Sequence, residues 1–373
     1  MAAAKLCHIM AAPSISVRPY MASSGPLVEL ASGVDAMYLS GRGELPRSLV
    51  EELVEGRRAA DEAEGPVPFM FGGLEFGIQP RSFGKYKYSL IHSLMQIGVT
   101  TSASLPALRV QPRAELLHGL GPEAALSVCR DLGDQELGDV IWSLSRLDLF
   151  CDVQGWDLVG DDRHRFVARS RRRDTHEEGD EFTGFEFGRR ATKTVCARIY
   201  DKTLQITKSG KDWWIDKWGE DYDPSLQVLR VEFEIGRQGL VEFGMEHPEV
   251  ALCRAAGVWA GLTEDWLSYR SPTSDATKSR WPVAIEWESI QRASLRGDAL
   301  GLDRVRNGKG AGSLRRITPA LVGYLARMAF LAGANDVESS LGALRCVVAD
   351  DEVVRGIHFS DRVAALVEED RFR

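Results

Sequence analysis

Apolar residues recur along this chain with two different periods. Alternation of apolar and polar residues predicts β-strands, whereas apolar residues three or four apart predict amphipathic helices. Strands are predicted at 33–41, 73–80, 85–92 and 107–113. Helices are predicted at 45–65, 121–133, 247–270, 317–334 and 359–370. Strands mixed with helices in this way indicate an α+β protein.

Three further segments alternate more regularly, at 145–153, 194–202 and 228–237. Because successive side chains on a strand point to opposite faces, each segment has one apolar and one polar face. The charged and phenolic residues on the polar faces are Arg146, Asp148, Asp152, Arg198, Tyr200, Lys202, Arg230, Glu232 and Glu234. An ordinary solvated face alternates in the same way but usually mixes Ser, Thr, Lys and Gln. We interpret these faces as a functional site, with a salt-bridged solvent face as the alternative.

Carboxylates gathered on neighbouring strands raise one another's pKa unless cations compensate them. Oxygen ligands of this kind suit Mg²⁺ or Mn²⁺. The candidate metal ligands are Asp148, Glu232, Asp152 and Glu234. A metal and arginines can stabilise the charge of a phosphoryl transition state, and tyrosine can act as a covalent nucleophile. Tyr200, which shares its face with Arg198 and Lys202, is therefore the candidate nucleophile.

Composition narrows the class of protein. With 44% apolar and 27% charged residues among 373, the chain has the make-up of an ordinary globular protein. No apolar run approaches the roughly 18 residues that span a bilayer. The six cysteines and seven histidines are scattered, which argues against a zinc site or a disulfide framework. We interpret 1–32 as a disordered leader and expect a cytoplasmic protein without a membrane partner.

Basic residues are concentrated in a few segments, although the net charge of −8 disfavours nucleic acid as a partner. The run 163–173 has six arginines and no acidic residue, and 81–88 interleaves basic with aromatic residues. Such patches act locally, because charges more than about 10 Å apart are largely screened at physiological salt. The candidate DNA-binding residues are Arg163, Arg165, Arg169, Arg171, Arg172, Arg173, Lys85 and Lys87. Solvated loops are the alternative interpretation.

Three tryptophans, at 213, 214 and 218, follow the candidate nucleophile. Tryptophans can stack on unpaired bases. We favour a packing role, in which they hold a helical hairpin against the core.

Four segments of the chain resemble the replication initiation factor family, the Rep_trans-type nickases of rolling-circle plasmids and integrative conjugative elements. They are "GVDAMYLSG" (33–41), "SRLDLFCDV" (145–153), "ARIYDKTLQ" (197–205) and "VLRVEFEIGR" (228–237). The resemblance covers roughly 33–270. It implies a twisted antiparallel sheet with packed helices, laid out like the His-hydrophobe-His endonucleases but with acidic residues in place of the histidines. We expect 271–373 to be a linker and a smaller, mostly helical C-terminal region.

The resemblance implies metal-dependent, sequence-specific DNA nicking, in which a tyrosine becomes linked to the 5′-phosphate and a 3′-OH is released. Tyr200 matches the tyrosine of the family's R-x-Y-D/N-K segment, Asp148 its strand aspartate and Glu232 its R-x-E glutamate. Adjacent candidates are Arg198, Lys202, Arg230, Asp152 and Glu234. Some members carry a further tyrosine just upstream, but Phe185 occupies that position here and has no hydroxyl. Either Tyr200 is the nucleophile or the chain is a binding-only relative.

Three functions are therefore open. The first is strand nicking and joining at a replication or transfer origin, with Mg²⁺ or Mn²⁺ as cofactor. The second is a catalytically inactive DNA-binding regulator on the same scaffold, and the third is a phosphodiesterase acting on small nucleotides or RNA. The expected partners are single-stranded or hairpin origin DNA, a helicase or other replication proteins, and a second copy of the chain in a homodimer.

Overall fold

The structure is a computed structural model that describes residues 27–190, 194–293, 295, 329, 332–356 and 358–361. Its strands are β1 (Val28–Arg42), β2 (Val67–Phe71), β3 (Leu74–Ile78), β4 (Tyr88–Ile91), β5 (Met95–Val99), β6 (Leu108–Pro112), β7 (Ile141–Gln154), β8 (Phe166–Ala168), β9 (Arg173–Glu178), β10 (Glu181–Phe187), β11 (Val195–Asp201), β12 (Leu229–Gly236) and β13 (Leu267–Tyr269). Its helices are α1 (Arg47–Glu62), α2 (Ala114–Leu120), α3 (Pro122–Leu137), α4 (Lys202–Ser209), α5 (Trp213–Trp218), α6 (Arg237–Glu242), α7 (Pro248–Gly261), α8 (Ile285–Gln291) and α9 (Val337–Arg355).

Eleven of these strands form one sheet, in the order β2-β3-β4-β5-β6-β1-β7-β12-β11-β10-β9. The neighbouring strands pair antiparallel throughout, and β1 pairs with β7 from Val28↔Gln154 to Arg42↔Ile141. The remaining two strands, β8 and β13, pair separately. The predicted α+β class, with a large antiparallel sheet and packed helices, is confirmed.

One face of the sheet packs on the main hydrophobic core. Its apolar side chains in β7 and β12, such as Leu147, Leu149 and Phe233, are completely buried. The helices α1, α3 and α7 add Leu53, Cys129, Trp259 and other residues to the same core. The core side of the sheet is thus the face that strand alternation predicts.

The opposite face of β7 and β12 is covered by α4 and α5. A second apolar cluster lies there and consists of Leu30, Ala31, Phe150, Ile206, Trp214, Trp218 and Val228. Trp214 is 1% exposed and Trp218 is fully buried, which confirms the predicted packing role of these two tryptophans. The polar face of the sheet therefore meets helices at this point instead of water.

The predicted helix over 247–270 is too long. Helix α7 ends at Gly261, a π-helical turn occupies Leu262–Trp266, and β13 follows. Tyr269 pairs with Phe166 of β8, and both side chains are buried. Helical spacing in the sequence could not show this pairing, because its partner strand lies about a hundred residues earlier in the chain.

The other predicted elements fall on observed ones where the chain is described. Each of the four strands predicted before residue 114 overlaps an observed strand, and the predicted helices at 45–65 and 121–133 overlap α1 and α3, of which α3 continues to Leu137. Strand β1 begins at Val28, so the end of the expected leader is strand, with Leu30 and Ser32 fully buried. The helices predicted at 317–334 and 359–370 lie mostly outside the described residues.

The chain packs back onto the core after β13. The Arg270 backbone amide donates to the Arg165 carbonyl at 3.1 Å. Trp287 and Ile290 of α8 are completely buried in the main core. The core therefore includes residues beyond 270, where the linker is predicted to begin.

Candidate active site

Strand register brings the three polar faces together. In the pairing of β12 with β7, Glu234 lies opposite Asp148 and Arg230 opposite Asp152. In the pairing of β11 with β12, Arg198 lies opposite Glu232 and Tyr200 opposite Arg230. Residues directly opposite each other on antiparallel strands share a face. The predicted catalytic and metal residues on the strands are therefore neighbours on three adjacent strands, and Lys202 follows at the start of α4.

This polar layer is buried. Asp152 and Arg230 are fully buried, and Asp148 and Glu232 are each 1% exposed. Buried charges cost folding free energy unless they are paired and hydrogen-bonded. Ion pairing within the layer consequently decides which residues remain available for chemistry.

Arg230 and Asp152 form the most enclosed pair. Arg230 Nε donates to Asp152 Oδ1 at 2.6 Å, and Arg230 Nη2 donates to Asp152 Oδ2 at 2.8 Å. Trp218 Nε1 donates to the same Asp152 Oδ2 at 2.9 Å. The guanidinium lies 4.0 Å from the ring centroid of Phe150 and 4.3 Å from that of Trp214. Both oxygens of Asp152 are therefore occupied, and Arg230 packs against two aromatic rings that are nearly perpendicular to each other.

Two residues of the layer, Asp35 and His118, are absent from the sequence prediction. Arg230 Nη1 donates to Asp35 Oδ1, and His118 Nε2 lies 3.4 Å from the same oxygen. Burial opposes ionisation of Asp35, but Arg230 and His118 hold its pKa well below the usual range. Burial lowers the pKa of His118 to about 4, so its imidazole is neutral at physiological pH.

A β-bulge explains why alternation could not find Asp35. Strict alternation places Asp35 on the same face as Met37 and Leu39, which are buried in the main core. The register of β1 against β7 shifts between Val34 and Ala36, so that Asp35 is the extra residue. A bulge re-aims a side chain locally, and here it brings Asp35 to Arg230. The only sequence signal was an acidic residue inside an apolar strand.

Tyr200 and Glu232 form the second pair of interest. The Tyr200 hydroxyl donates to Glu232 Oε2 at 2.9 Å, and Arg198 donates to Glu232 Oε1. Arg198 also lies over the Tyr200 ring, 5.1 Å from its centroid. Burial and the Glu232 charge raise the pKa of Tyr200 well above 10, against the opposing effect of Arg230 and Arg198. The phenol is therefore protonated at rest, with a carboxylate in place to accept its proton.

The third group joins Asp148, Glu234 and Arg146. Arg146 Nε donates to Asp148 Oδ1 at 2.7 Å, and its Nη2 contacts Asp148 Oδ2 as well as Glu234 Oε2 at 2.9 Å. Burial raises the pKa of Asp148 to about 7, although Arg146 opposes this shift. Glu232 adds to the increase because its negative charge is close.

Lys202 is nearly buried at the first position of α4. Asp201 caps this helix by accepting a hydrogen bond from the Leu204 amide at 2.8 Å. Lys202 Nζ donates to Gln205 Oε1 at 2.8 Å and lies 4.6 Å from the Trp214 ring centroid. Burial, followed by repulsion from Arg230, lowers the pKa of Lys202 to about 8.

The carboxylates of this layer fit arginine partners better than a divalent cation. Asp152 and Asp148 each bind one guanidinium through both oxygens, and Glu232 binds both Arg198 and Tyr200. Within the described part of the chain, no three His, Cys, Asp or Glu side chains are arranged to hold a metal ion. A cation at the predicted ligands would have to displace arginines that already compensate them.

Tyr200 also reaches the molecular surface. It lines a cavity of about 340 Å³ together with Thr183, Leu204, Gln205 and Lys208. Phe185, which the resemblance aligns with the upstream tyrosine of some relatives, pairs with Ile199 and is 1% exposed. Its ring packs against Phe166 and Phe182 on the core side of the sheet. Tyr200 and Phe185 thus lie on opposite faces.

The two basic segments predicted to bind DNA are far apart. Lys85 and Lys87 precede β4, the third strand of the sheet, whereas 163–173 leads into β9 at the far edge. Eight strand spacings separate β4 from β9, which is about 40 Å along the sheet. They therefore do not form one continuous patch.

Most arginines of 163–173 have contacts within the fold. Arg165 binds Asp162 and lies 4.0 Å from the Tyr269 ring centroid, and Arg172 binds Asp174 at 2.7 Å. Backbone carbonyls accept from Arg163, Arg169 and Arg173. Arg171 is exposed, as are Lys85 and Lys87. These contacts stabilise the fold, so the arginine run has a structural role in addition to any role in binding DNA.

Comparison with known proteins gives a likeness to solved structures but none to a family model or a curated sequence. Among solved structures it is similar to a rolling circle replication initiator protein from Geobacillus stearothermophilus, at 15% identity and a TM-score of 0.42. The likeness covers 72% of this chain and 98% of that chain. At this level it does not establish a family, so the function must be judged from the site.

None of the described helices has a stretch that is both long and apolar enough to cross a bilayer.

Proposed function

We propose that this chain nicks and rejoins a DNA strand, with Tyr200 as the nucleophile and Glu232 as the base. The observation that carries the proposal is the 2.9 Å hydrogen bond from the Tyr200 hydroxyl to Glu232 Oε2. A nucleophile within hydrogen-bond distance of a base is the arrangement that covalent catalysis requires. Tyr200 also lines a cavity of about 340 Å³, which we take as the approach for a single strand. The proposed substrate is single-stranded or hairpin origin DNA.

In this reaction the Tyr200 oxygen attacks phosphorus while its proton passes to Glu232. The bond from phosphorus to the 3′ oxygen breaks, and that oxygen takes up a proton to give a 3′-OH. The phosphate keeps its bond to the 5′ oxygen of the nucleotide that follows the break, and is joined to Tyr200. Arg198, which already lies against Tyr200 and Glu232, is placed to neutralise charge on the phosphoryl oxygens. Attack by a 3′-OH on the phosphotyrosyl bond reverses these steps and rejoins a strand.

The first test is formation of a covalent adduct. Purified protein, given Mg²⁺ or Mn²⁺ and labelled single-stranded or hairpin DNA, should yield a protein–DNA species that survives denaturing electrophoresis. Tyr200→Phe should form none, because it lacks the attacking oxygen. Tyr38→Phe is the matched control, since Tyr38 packs against Arg146 on the same sheet and its loss should leave the adduct intact. An adduct on the Tyr200→Phe protein would remove Tyr200 from the nucleophile position.

Dependence on Mg²⁺ or Mn²⁺ stays a prediction. A cation at Asp148 and Glu232 would supply Lewis-acid chemistry, but the arginines that hold these carboxylates would first have to move. If a metal is used, Asp148→Asn should abolish metal-stimulated cleavage while DNA binding persists. Equal cleavage in EDTA and in Mg²⁺ or Mn²⁺ would instead assign the charge compensation to the arginines.

A specific observation favours the second function, a DNA-binding regulator without catalysis. The Tyr200 hydroxyl is buried, its pKa is well above 10, and the carboxylates beside it are already paired with arginines. These are also the features of a structural charge network. Salt-sensitive DNA binding with no adduct under any metal condition would support this alternative. A helicase and a second copy of the chain stay predicted partners for either function.

A further inference from the structure

Three arginines from different segments lie at the outer side of the carboxylates Asp148, Glu232 and Glu234. Arg146 belongs to β7, Arg198 to β11, and Arg190 to the turn between β10 and β11. The side chains of Arg146 and Arg198 are 19% and 20% exposed, whereas the three carboxylates are nearly buried. The arginines therefore form the solvent-facing side of this part of the polar layer, which we call the arginine rim.

The donors of the rim are only partly used. A guanidinium has five N–H groups. Within the described residues, the Arg198 Nε is buried and has no hydrogen-bond partner. Leaving a buried donor without an acceptor costs about 1–3 kcal/mol. Among the described residues this donor is left open, and an acceptor on a ligand that reached it would recover that cost.

Arg190 has more of its side chain open to a ligand than Arg146 or Arg198 has. Its Nε lies 3.9 Å from Glu234 Oε2, which is beyond hydrogen-bond distance, and its side chain is 52% exposed. Arg146, Arg190 and Arg198 offset the charges of Asp148, Glu232 and Glu234. A further carboxylate, Glu186 of β10, lies opposite Arg198. Guanidinium forks match the oxygens of a phosphate geometrically.

We infer that Arg146, Arg190 and Arg198 form a receptor for one backbone phosphate of a single DNA strand, next to Tyr200. The inference rests on the proposed function for its ligand class and adds Arg146 and Arg190 to the substrate-contacting residues. Arg198 and Tyr200 lie two residues apart on the same face of β11. A strand held at the rim thus passes the nucleophile on the same side of the sheet. The arginine rim positions the DNA strand. Of its three arginines, only Arg198 also takes part in the bond-breaking step.

Binding of a fluorescein-labelled single-stranded oligo(dT) of 20 nucleotides, measured by anisotropy in EDTA, tests this receptor without cleavage. Arg190→Gln should weaken binding by about fivefold and lower the slope of log K against log salt by about 0.7, the value for one lost phosphate contact. Arg189→Gln is the matched control, because Arg189 is the exposed neighbour in the same turn and carries the same charge. The control should change the affinity by less than about twofold.

The outcomes separate this inference from the proposed function. Equal losses of affinity in the Arg189→Gln and Arg190→Gln proteins would mean that any positive charge in this turn attracts the DNA, and would overturn the receptor. No loss of affinity in either protein would also overturn it. If only Arg190→Gln loses affinity for oligo(dT) but the wild-type protein never forms an adduct, the result supports the phosphate receptor and contradicts the proposed nicking. If the wild-type protein forms an adduct and the two variants bind oligo(dT) equally well, the result supports nicking and contradicts the phosphate receptor. Unchanged circular dichroism of both variants excludes unfolding as the cause, and failure of wild-type protein to bind oligo(dT) overturns the receptor.

Discussion

Arg230 shows how single residues make a charged layer tolerable inside this protein. Its guanidinium is fully buried, binds Asp152 through two hydrogen bonds and Asp35 through another, and packs against two aromatic rings. Removing one partner of such a pair typically costs about 3–5 kcal/mol, because the other charge is left uncompensated. A substitution in this layer must therefore be checked for folding before its effect on activity is interpreted.

His118 gives a pH prediction at the residue scale. Its pKa is about 4 in the folded protein and about 6.5 when exposed. Between these values the unfolded chain binds the extra proton, so stability should be complete above about pH 6.5 and decrease as the pH falls toward 4. The loss due to His118 should be about 3 kcal/mol. Urea unfolding of wild-type protein and His118→Gln across this range measures it.

The difference in the free energy of unfolding between wild-type protein and His118→Gln separates the pH effect of His118 from that of Asp148. The pKa of Asp148 is raised to about 7, so its contribution has the opposite sign and decreases stability as the pH rises from about 4 to 7. That contribution is common to wild-type protein and His118→Gln and cancels in the difference. A difference that stays constant with pH would show that His118 is not a buried neutral group.

At the scale of elements, the close approach of β10 to β11 depends on a glycine. Gly184 has φ +155°, and a Cβ there would lie 2.3 Å from the Ile199 carbonyl oxygen. Since this oxygen is backbone, it cannot move aside without shifting β11, which carries Tyr200 and Arg198. The site face thus depends on a residue that has no functional group of its own.

Gly184→Ala should therefore destabilise the protein by more than about 2 kcal/mol, as expected where backbone must shift. Gly179→Ala is the control. Gly179 also has a positive φ, +62°, but a Cβ there would meet nothing within 4 Å, so the cost should be only about 1 kcal/mol. Urea unfolding at neutral pH compares the two. Equal costs would mean that the contact with Ile199 is not limiting.

At the scale of the whole molecule, the position of the site follows from the sheet order. The strands β7, β12 and β11 lie side by side within an eleven-stranded sheet, with the main core on one face and α4 and α5 on the other. This position buries Asp148, Asp152, Arg230 and Glu232, and exclusion of water from them strengthens their ion pairs. The main core also extends to α8, so the sheet depends on residues after 270.

Truncation tests that dependence. A protein ending at Leu295 should unfold cooperatively, and its free energy of unfolding should be close to that of the same folded unit in the full chain. A protein ending at Arg270 should lose more than about 3 kcal/mol, because it lacks the fully buried Trp287 and Ile290. Urea unfolding followed by tryptophan fluorescence compares the two. Equal stability would place the boundary of the folded unit at 270, as the sequence predicts.

The sequence by itself determined the strands that carry the site and the face on which each side chain lies, because the period of a strand is a local property. Alternation placed Asp148, Arg198, Tyr200, Glu232 and Glu234 on polar faces, and the structure has them there. Only the tertiary structure decided the neighbours of these residues. The bulge at Asp35, the cover of Trp214 and Trp218, and the arginine partner of each carboxylate depend on register and on distant segments. The carboxylates that the sequence predicts as metal ligands lie in a buried layer of ion pairs, since burial forces each charge to find a partner.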